Sequence, residues 1–146
     1  MSQLITPALL RGWPLPDPPD HSDKDARGRV LTIAGGAQVP GAAILCGLGA
    51  LRAGAGKLQM AACEPWARSL AIATPEARGV TVPGTAEGEF GLSSARPLIK
   101  LAARVDAVIV GPGMIDDGVA SPRAGRLLTA VEETAFVLDA GAITGL

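Results

Sequence analysis

Between Arg29 and Gly56 the chain reads as a buried strand, a glycine loop and a helix, and that order limits the possible folds more than any other feature. Arg29-Val30-Leu31-Thr32-Ile33 is an apolar, β-branched run of the kind found in strands covered on both faces. It stops at Gly35-Gly36. Pro40 and Gly41 then introduce Ala42 to Leu51, a run too long for a strand and rich in helix formers, with Pro40 placed near the first helical turn. A loop of this type leaves backbone N–H groups and a positive helix end facing the crevice above a parallel sheet, where a phosphate or pyrophosphate can sit. The spacing is neither GxGxxG nor GxxxxGK[ST]. Two readings therefore stand on spacing alone: a phosphate loop, or a plain turn in which Gly41, Gly47 and Gly49 let the helix lie close on the sheet.

The same rhythm repeats. Strands are expected near 30–34, 58–63, 79–82, 106–110 and 135–138. Between them, helices are expected over Pro65–Ala73 and Ala95–Arg104, the latter capped by Ser93 or Ser94, and a further one opens at Ser121-Pro122. Gly84 to Gly91 reads as a loop. Alternation of this kind implies right-handed crossovers and an α/β fold, a parallel sheet with helices on both faces. Ahead of it, Leu4–Arg11 reads as a short helix with Thr6 as cap and Pro7 at the first position, and Trp13–Pro19 as an extended arm. The expected organisation is thus an N-terminal helix and Pro-rich arm over 1–28, then one α/β domain over 29–146.

In such sheets ligands collect at the carboxyl ends of the strands, which here carry Gly35-Gly36, Gly111-Pro112-Gly113 and Asp139. Composition narrows the ligand. Only 3% of the 146 residues are aromatic, so base-stacking platforms for nucleic acid are not expected. Thirteen basic residues against 14 acidic ones, with no run of like charge, give no support to DNA, RNA or an anionic membrane as partner. Cys46 and Cys63 read as buried free thiols, and with no signal-peptide layout and no long apolar run a cytoplasmic protein is expected. His21, alone in a polar loop, reads as solvated.

With those segments in view, the chain resembles the ADP/ATP-dependent NAD(P)H-hydrate dehydratases, the C-terminal module of the YjeF family in the ribokinase-like superfamily. The matching stretches are GRVLTIAGG (Gly28–Gly36), PGAAIL with ALRAGAG (Pro40–Gly56), PEARGVTVP (Pro75–Pro83), DAVIVGPG (Asp106–Gly113) and VLDAGAI (Val137–Ile143). ITPALL near the start is also similar. The resemblance implies a ribokinase-like sheet, here its N-terminal half, and dehydration of hydrated NAD(P)H, (S)-NAD(P)HX, back to NAD(P)H. ADP or ATP would phosphorylate the hydroxyl so that it leaves as phosphate, with Mg2+ screening the charge.

By position the resemblance implies Gly36, Gly41, Ala42, Gly111, Gly113 and Asp139 as substrate-binding residues, and a Val at Gly113 is expected to fill ligand space with little loss of fold. Asp139 is read either as an active carboxylate or as a structural one hydrogen-bonding loop amides. Three departures from the family pattern are plain. Met114 stands where GPGLG has its leucine, with Ile115 for the third glycine; Gly141 replaces the second aspartate of DADAL; and His21 to Asp25 replace a His-Lys-Gly segment. The family's catalytic aspartate lies in a GSGD segment that this sequence lacks, so the catalytic residues are expected in a half that would follow Leu146. Two alternatives stay open: a truncated, non-catalytic nucleotide-binding or interaction module, and another ribokinase-like small-molecule kinase. Half a sheet exposes an edge, so a homo-oligomer is expected.

Overall fold

The structure is a computed structural model, and it describes residues 4–14, 22–64, 66–114 and 117–144. Its centre is a sheet of five parallel strands, β1 (Arg29–Ile33), β2 (Lys57–Cys63), β3 (Ala77–Val82), β4 (Ala107–Val110) and β5 (Ala135–Leu138), in the order β3-β2-β1-β4-β5. Leu31 of β1 lies between Gln59 and Val108, and Ile33 between Ala61 and Val110. The parallel α/β architecture expected from the alternation is therefore present.

Helices cover both faces, and the period of two along each strand explains why both faces need covering. Leu31, Ile33, Ala61, Cys63, Val108 and Val110 share one core with Leu98 and Ala102 of α4 (Ala95–Ala102) and Leu127 of α5 (Asp117–Ala130). The intervening positions Leu58, Met60 and Ala62 pack with Ala43 and Ala50 of α2 (Gly41–Arg52) and Ala67 and Leu70 of α3 (Trp66–Ala73). Because the side chains on this second face are small, α2 lies close to the sheet, and a Cβ at Gly47 would sit 3.0 Å from Leu58 and 3.2 Å from Met60.

A first helix, α1 (Pro7–Arg11), has Thr6 as its cap, the hydroxyl accepting from the Leu9 amide at 3.2 Å. It buries no residue. Helix α4 starts at Ala95 with Ser94 in the N-cap position, as expected, but the Ser94 side chain makes no cap bond: it ends a 3₁₀ turn, Leu92–Ser94, and its buried hydroxyl donates to the Gly91 carbonyl at 2.5 Å. A buried hydroxyl needs an acceptor, and the turn supplies one. Helix α5 starts at Asp117, so Pro122 lies inside it rather than at its opening. The expectations for His21, Pro65 and most of the Pro-rich arm fall outside the described residues.

The amino end of the sheet is held by charge. The Asp106 carboxylate accepts from the Arg29 amide at 2.7 Å, and Asp25 pairs with Lys57 and, at 3.8 Å, with Arg29. Among the described residues no helix is long and apolar enough to cross a membrane.

Candidate functional site

At the opposite, carboxyl end, three chain segments are tied together by backbone. The Gly35 amide donates to the Pro112 carbonyl at 2.7 Å, the Gly111 amide to Ile33 at 3.2 Å and the Asp139 amide to Val110 at 3.1 Å. These bonds continue the strand ladders beyond β1, β4 and β5, and so bring the glycine loop, the Gly-Pro-Gly turn and the Asp139 segment into one surface.

Four of the six residues singled out from the sequence turn a bare or small face toward the protein itself. Gly111 has φ +115, and any Cβ there would run into the Asp139 carbonyl. Gly113 has φ +75, and a Cβ would lie 2.6 Å from the Cβ of Ala42 and 3.0 Å from the Val39 carbonyl. The two glycines thus permit a left-handed turn and a close approach to the start of α2 at once. The expectation that a Val at 113 leaves the fold intact is accordingly reversed, since both strain and overlap oppose it. Gly36 is covered in a different way: the Glu89 carboxylate lies over its Cα, where a Cβ would overlap both oxygens.

Gly41 and Asp139 are the open positions. Nothing lies within 4 Å of a Cβ placed on Gly41, which begins α2, and no side chain caps that helix start. The Ala42 and Ala43 amides are taken up by the Val39 and Pro40 carbonyls at 3.2 Å each, so what stands at the exposed glycine is the positive end of the helix. Asp139 is exposed, and its backbone does the holding: its carbonyl accepts from Ala142 at 3.0 Å and packs on Gly111, while no side-chain cap bond is made. Its charge reaches Cys46 on α2. Burial first, and the Asp139 charge second, push the Cys46 thiol up to about 11, so Cys46 is protonated at neutral pH. Next to Asp139, Ala140 sits at φ +47, a left-handed conformation that costs a non-glycine residue on the order of 1 kcal/mol.

Two residues that the sequence reading passed over belong to this surface. Glu89 accepts a hydrogen bond from the Ala37 amide at 2.8 Å. Trp66, at the start of α3, has a buried indole Nε1–H without a hydrogen-bond partner, lying against Gly88. The only sequence signal was a carboxylate between Gly88 and Gly91 in a loop rich in glycine. Gly35, Gly36, Cys63, Trp66, Gly88 and Phe90 enclose a space of about 10 Å³, the room of one water. Among the described residues no three His, Cys, Asp or Glu side chains converge.

Comparison with known proteins adds identity to geometry. A family model described as NAD(P)H-hydrate dehydratase matches residues 30–146. The ADP-dependent (S)-NAD(P)H-hydrate dehydratase of Xanthomonas campestris pv. campestris is 41% identical over 140 residues, which are 96% of this chain and 47% of that protein. The crystal structure of the Bacillus subtilis ADP/ATP-dependent NAD(P)H-hydrate dehydratase, co-crystallised with ATP and Mg2+, matches with a TM-score of 0.62 at 29% identity, over 88% of this chain and 43% of that one. A ribokinase-like superfamily protein from Enterococcus faecalis shares the fold, with a TM-score of 0.71 at 24% identity over 89% of this chain and 43% of the other. The chain spans about half the length, or less, of the curated relatives it matches.

Proposed function

Because the chain belongs to the NAD(P)H-hydrate dehydratase family, we propose that it supplies the nicotinamide-nucleotide side of a site that dehydrates (S)-NAD(P)HX to NAD(P)H. The observation that carries this reading is the open helix start at Gly41, set beside two backbone-tied glycine loops and an exposed carboxylate at Asp139. The positive end of α2 suits a phosphorylated nucleotide, and a bare Gly41 lets it approach the backbone. Gly41 and Asp139 form the exposed part of the proposed substrate surface, while Gly36, Ala42, Gly111 and Gly113 shape it from behind. The phosphoryl donor, ADP or ATP with Mg2+, is assigned to the part of the relatives' length that this chain does not span. Its catalytic groups are assigned there with it, since the family's catalytic aspartate lies in a GSGD segment that this sequence lacks.

On this reading the protein is cytoplasmic, in keeping with a free thiol at Cys46, and it self-associates. Support for association is the free side of β5, where Val137 is 54% exposed and nearby Ile143 53% exposed. These same features fit a non-catalytic nucleotide-binding module, and one variant addresses the binding step common to both. Gly41→Val places a branched side chain in open space at a helix start, so the denaturation midpoint should hold to within about 0.5 kcal/mol. Titration calorimetry with NADPH on the 146-residue chain should show at least tenfold weaker binding. Unchanged affinity with an intact fold would remove Gly41 from the site.

A further inference from the structure

The Glu89 carboxylate lies over the glycine loop that follows β1. Strand β1 runs out into Gly35-Gly36-Ala37, and two amides of that loop already have acceptors: Gly35 meets the Pro112 carbonyl and Ala37 meets the Glu89 carboxylate at 2.8 Å. A carboxylate oxygen on a backbone N–H is an anionic acceptor of the same kind as a phosphate oxygen, and such bonds are stronger than neutral ones. Among the described residues no Lys or Arg forms an ion pair with Glu89, so what holds the carboxylate here is the loop amide and the bare face of Gly36.

The segment that delivers Glu89 is built as a unit. Gly84 and Phe90 form a bridge, the Thr85 amide donates to the Glu89 carbonyl at 2.8 Å, Gly88 donates to Thr85 at 3.0 Å, and the Thr85 hydroxyl accepts from the Glu89 amide at 3.3 Å. Below it lie buried Phe90 and the unpartnered Trp66 Nε1–H, against which Gly88 packs. The space they line has room for about one water.

We propose that Glu89 is an internal stand-in for a ligand phosphate. Its carboxylate holds the Ala37 amide and pins residues 84–91 over the glycine loop, and an incoming phosphate group takes that amide over by displacing it. Lifting the segment also frees the Trp66 indole N–H as a second donor to the newcomer. The ligand's identity rests on the reading of this surface as a nucleotide site; the pin rests on the geometry alone.

The test uses the 146-residue chain carrying Trp13→Phe, which leaves Trp66 as the sole indole, with and without Glu89→Ala or Glu89→Gln. Without ligand, Glu89→Ala should at least double acrylamide quenching of Trp66 and lower the exchange protection of the Ala37 amide about tenfold, with circular dichroism unchanged. Inorganic pyrophosphate and NADPH should then bind about five- to tenfold more tightly to Glu89→Ala and by a smaller factor to Glu89→Gln, which keeps a neutral acceptor. Unchanged quenching and unchanged Ala37 exchange would overturn the pin, whatever binds. A loosened segment with weaker binding would overturn displacement and make Glu89 a ligand contact. A loosened segment with no binding of either probe, in parent or variant, would overturn the phosphate position and with it the nucleotide reading of this loop, while a loss of NADPH binding confined to Gly41→Val bears on the proposed site separately.

Discussion

At the amino end of the sheet, Asp25, Arg29, Lys57 and Asp106 meet one another and the backbone, whereas at the carboxyl end Gly35, Gly36, Gly111 and Gly113 bring bare backbone together and leave Trp66 without a partner. Both ends close the same five strands. The amino end does so with exposed side-chain charges, whose interactions are weak and replaceable. The carboxyl end does so with shape: positive φ angles at Gly111 and Gly113, a strained Ala140, and a carboxylate laid across Gly36. Strain and an unpartnered donor gather at the carboxyl end, which fits the proposed site there, while paired charges at the far end hold the strands in register.

The contrast is sharpest for Gly111. Gly111→Val should cost more than about 3 kcal/mol in denaturant unfolding, because φ +115 and the Asp139 carbonyl both exclude a side chain. A loss under about 1 kcal/mol would mean that the carboxyl end yields as readily as a surface loop, and the difference between the two ends would vanish.

Cys46 reads the charge at the same end. With its thiol pushed up to about 11 from an ordinary 9.0, the thiolate at pH 8 is about a hundredfold scarcer than in an unperturbed thiol, and iodoacetamide labelling should slow by at least that factor. Asp139→Asn should recover part of the rate, though not most of it, since burial is the larger cause. In the folded state the thiol resists ionisation more than in the unfolded one, so this group's contribution to stability is full below about pH 9 and is lost as pH rises toward about 11. Labelling as fast as in a model thiol peptide would show that neither burial nor Asp139 acts on Cys46.

The smallest effect belongs to the amino end. The hydrogen bond to Lys57, with the nearby positive charges, holds the Asp25 carboxyl below its ordinary range. A carboxyl lowered on folding contributes stability at pH values above its unfolded pKa, and that contribution is lost as pH falls through the folded value. Acid titration of the unfolding midpoint should therefore show a slight fall below about pH 4, absent in Lys57→Ala and flattened by 0.5 M salt. A large, salt-insensitive loss in Lys57→Ala would put structural weight at the amino end and make its charges anything but replaceable.

How far the molecule was legible differs between backbone and site. The five strands, their parallel sense and the helices between them follow from apolar runs of the right length broken by glycine and proline, because such runs can be buried only by pairing and covering. Ser94 stands at the N-cap of α4 as its sequence suggests, but burial turned its hydroxyl toward the Gly91 carbonyl instead of the helix amides. Pro122 misled because a proline at a helix start and one inside a helix look alike in a sequence.

What the sequence by itself determined is the order of elements, the two-faced core of Ala, Val, Leu and Ile, and the gathering of Gly35-Gly36, Gly111-Gly113 and Asp139 at one edge of the sheet. These follow from local pattern and from the handedness of βαβ crossovers, which leave few arrangements open. Only the tertiary structure decided which glycine faces outward and which faces the protein. Gly41 opens outward, Gly113 is filled by Ala42, and Gly36 is covered by Glu89, a residue 53 positions away in the chain. A glycine records that a side chain is excluded and says nothing of what excludes it. That depends on contacts between residues far apart in sequence, which exist only once the chain has folded.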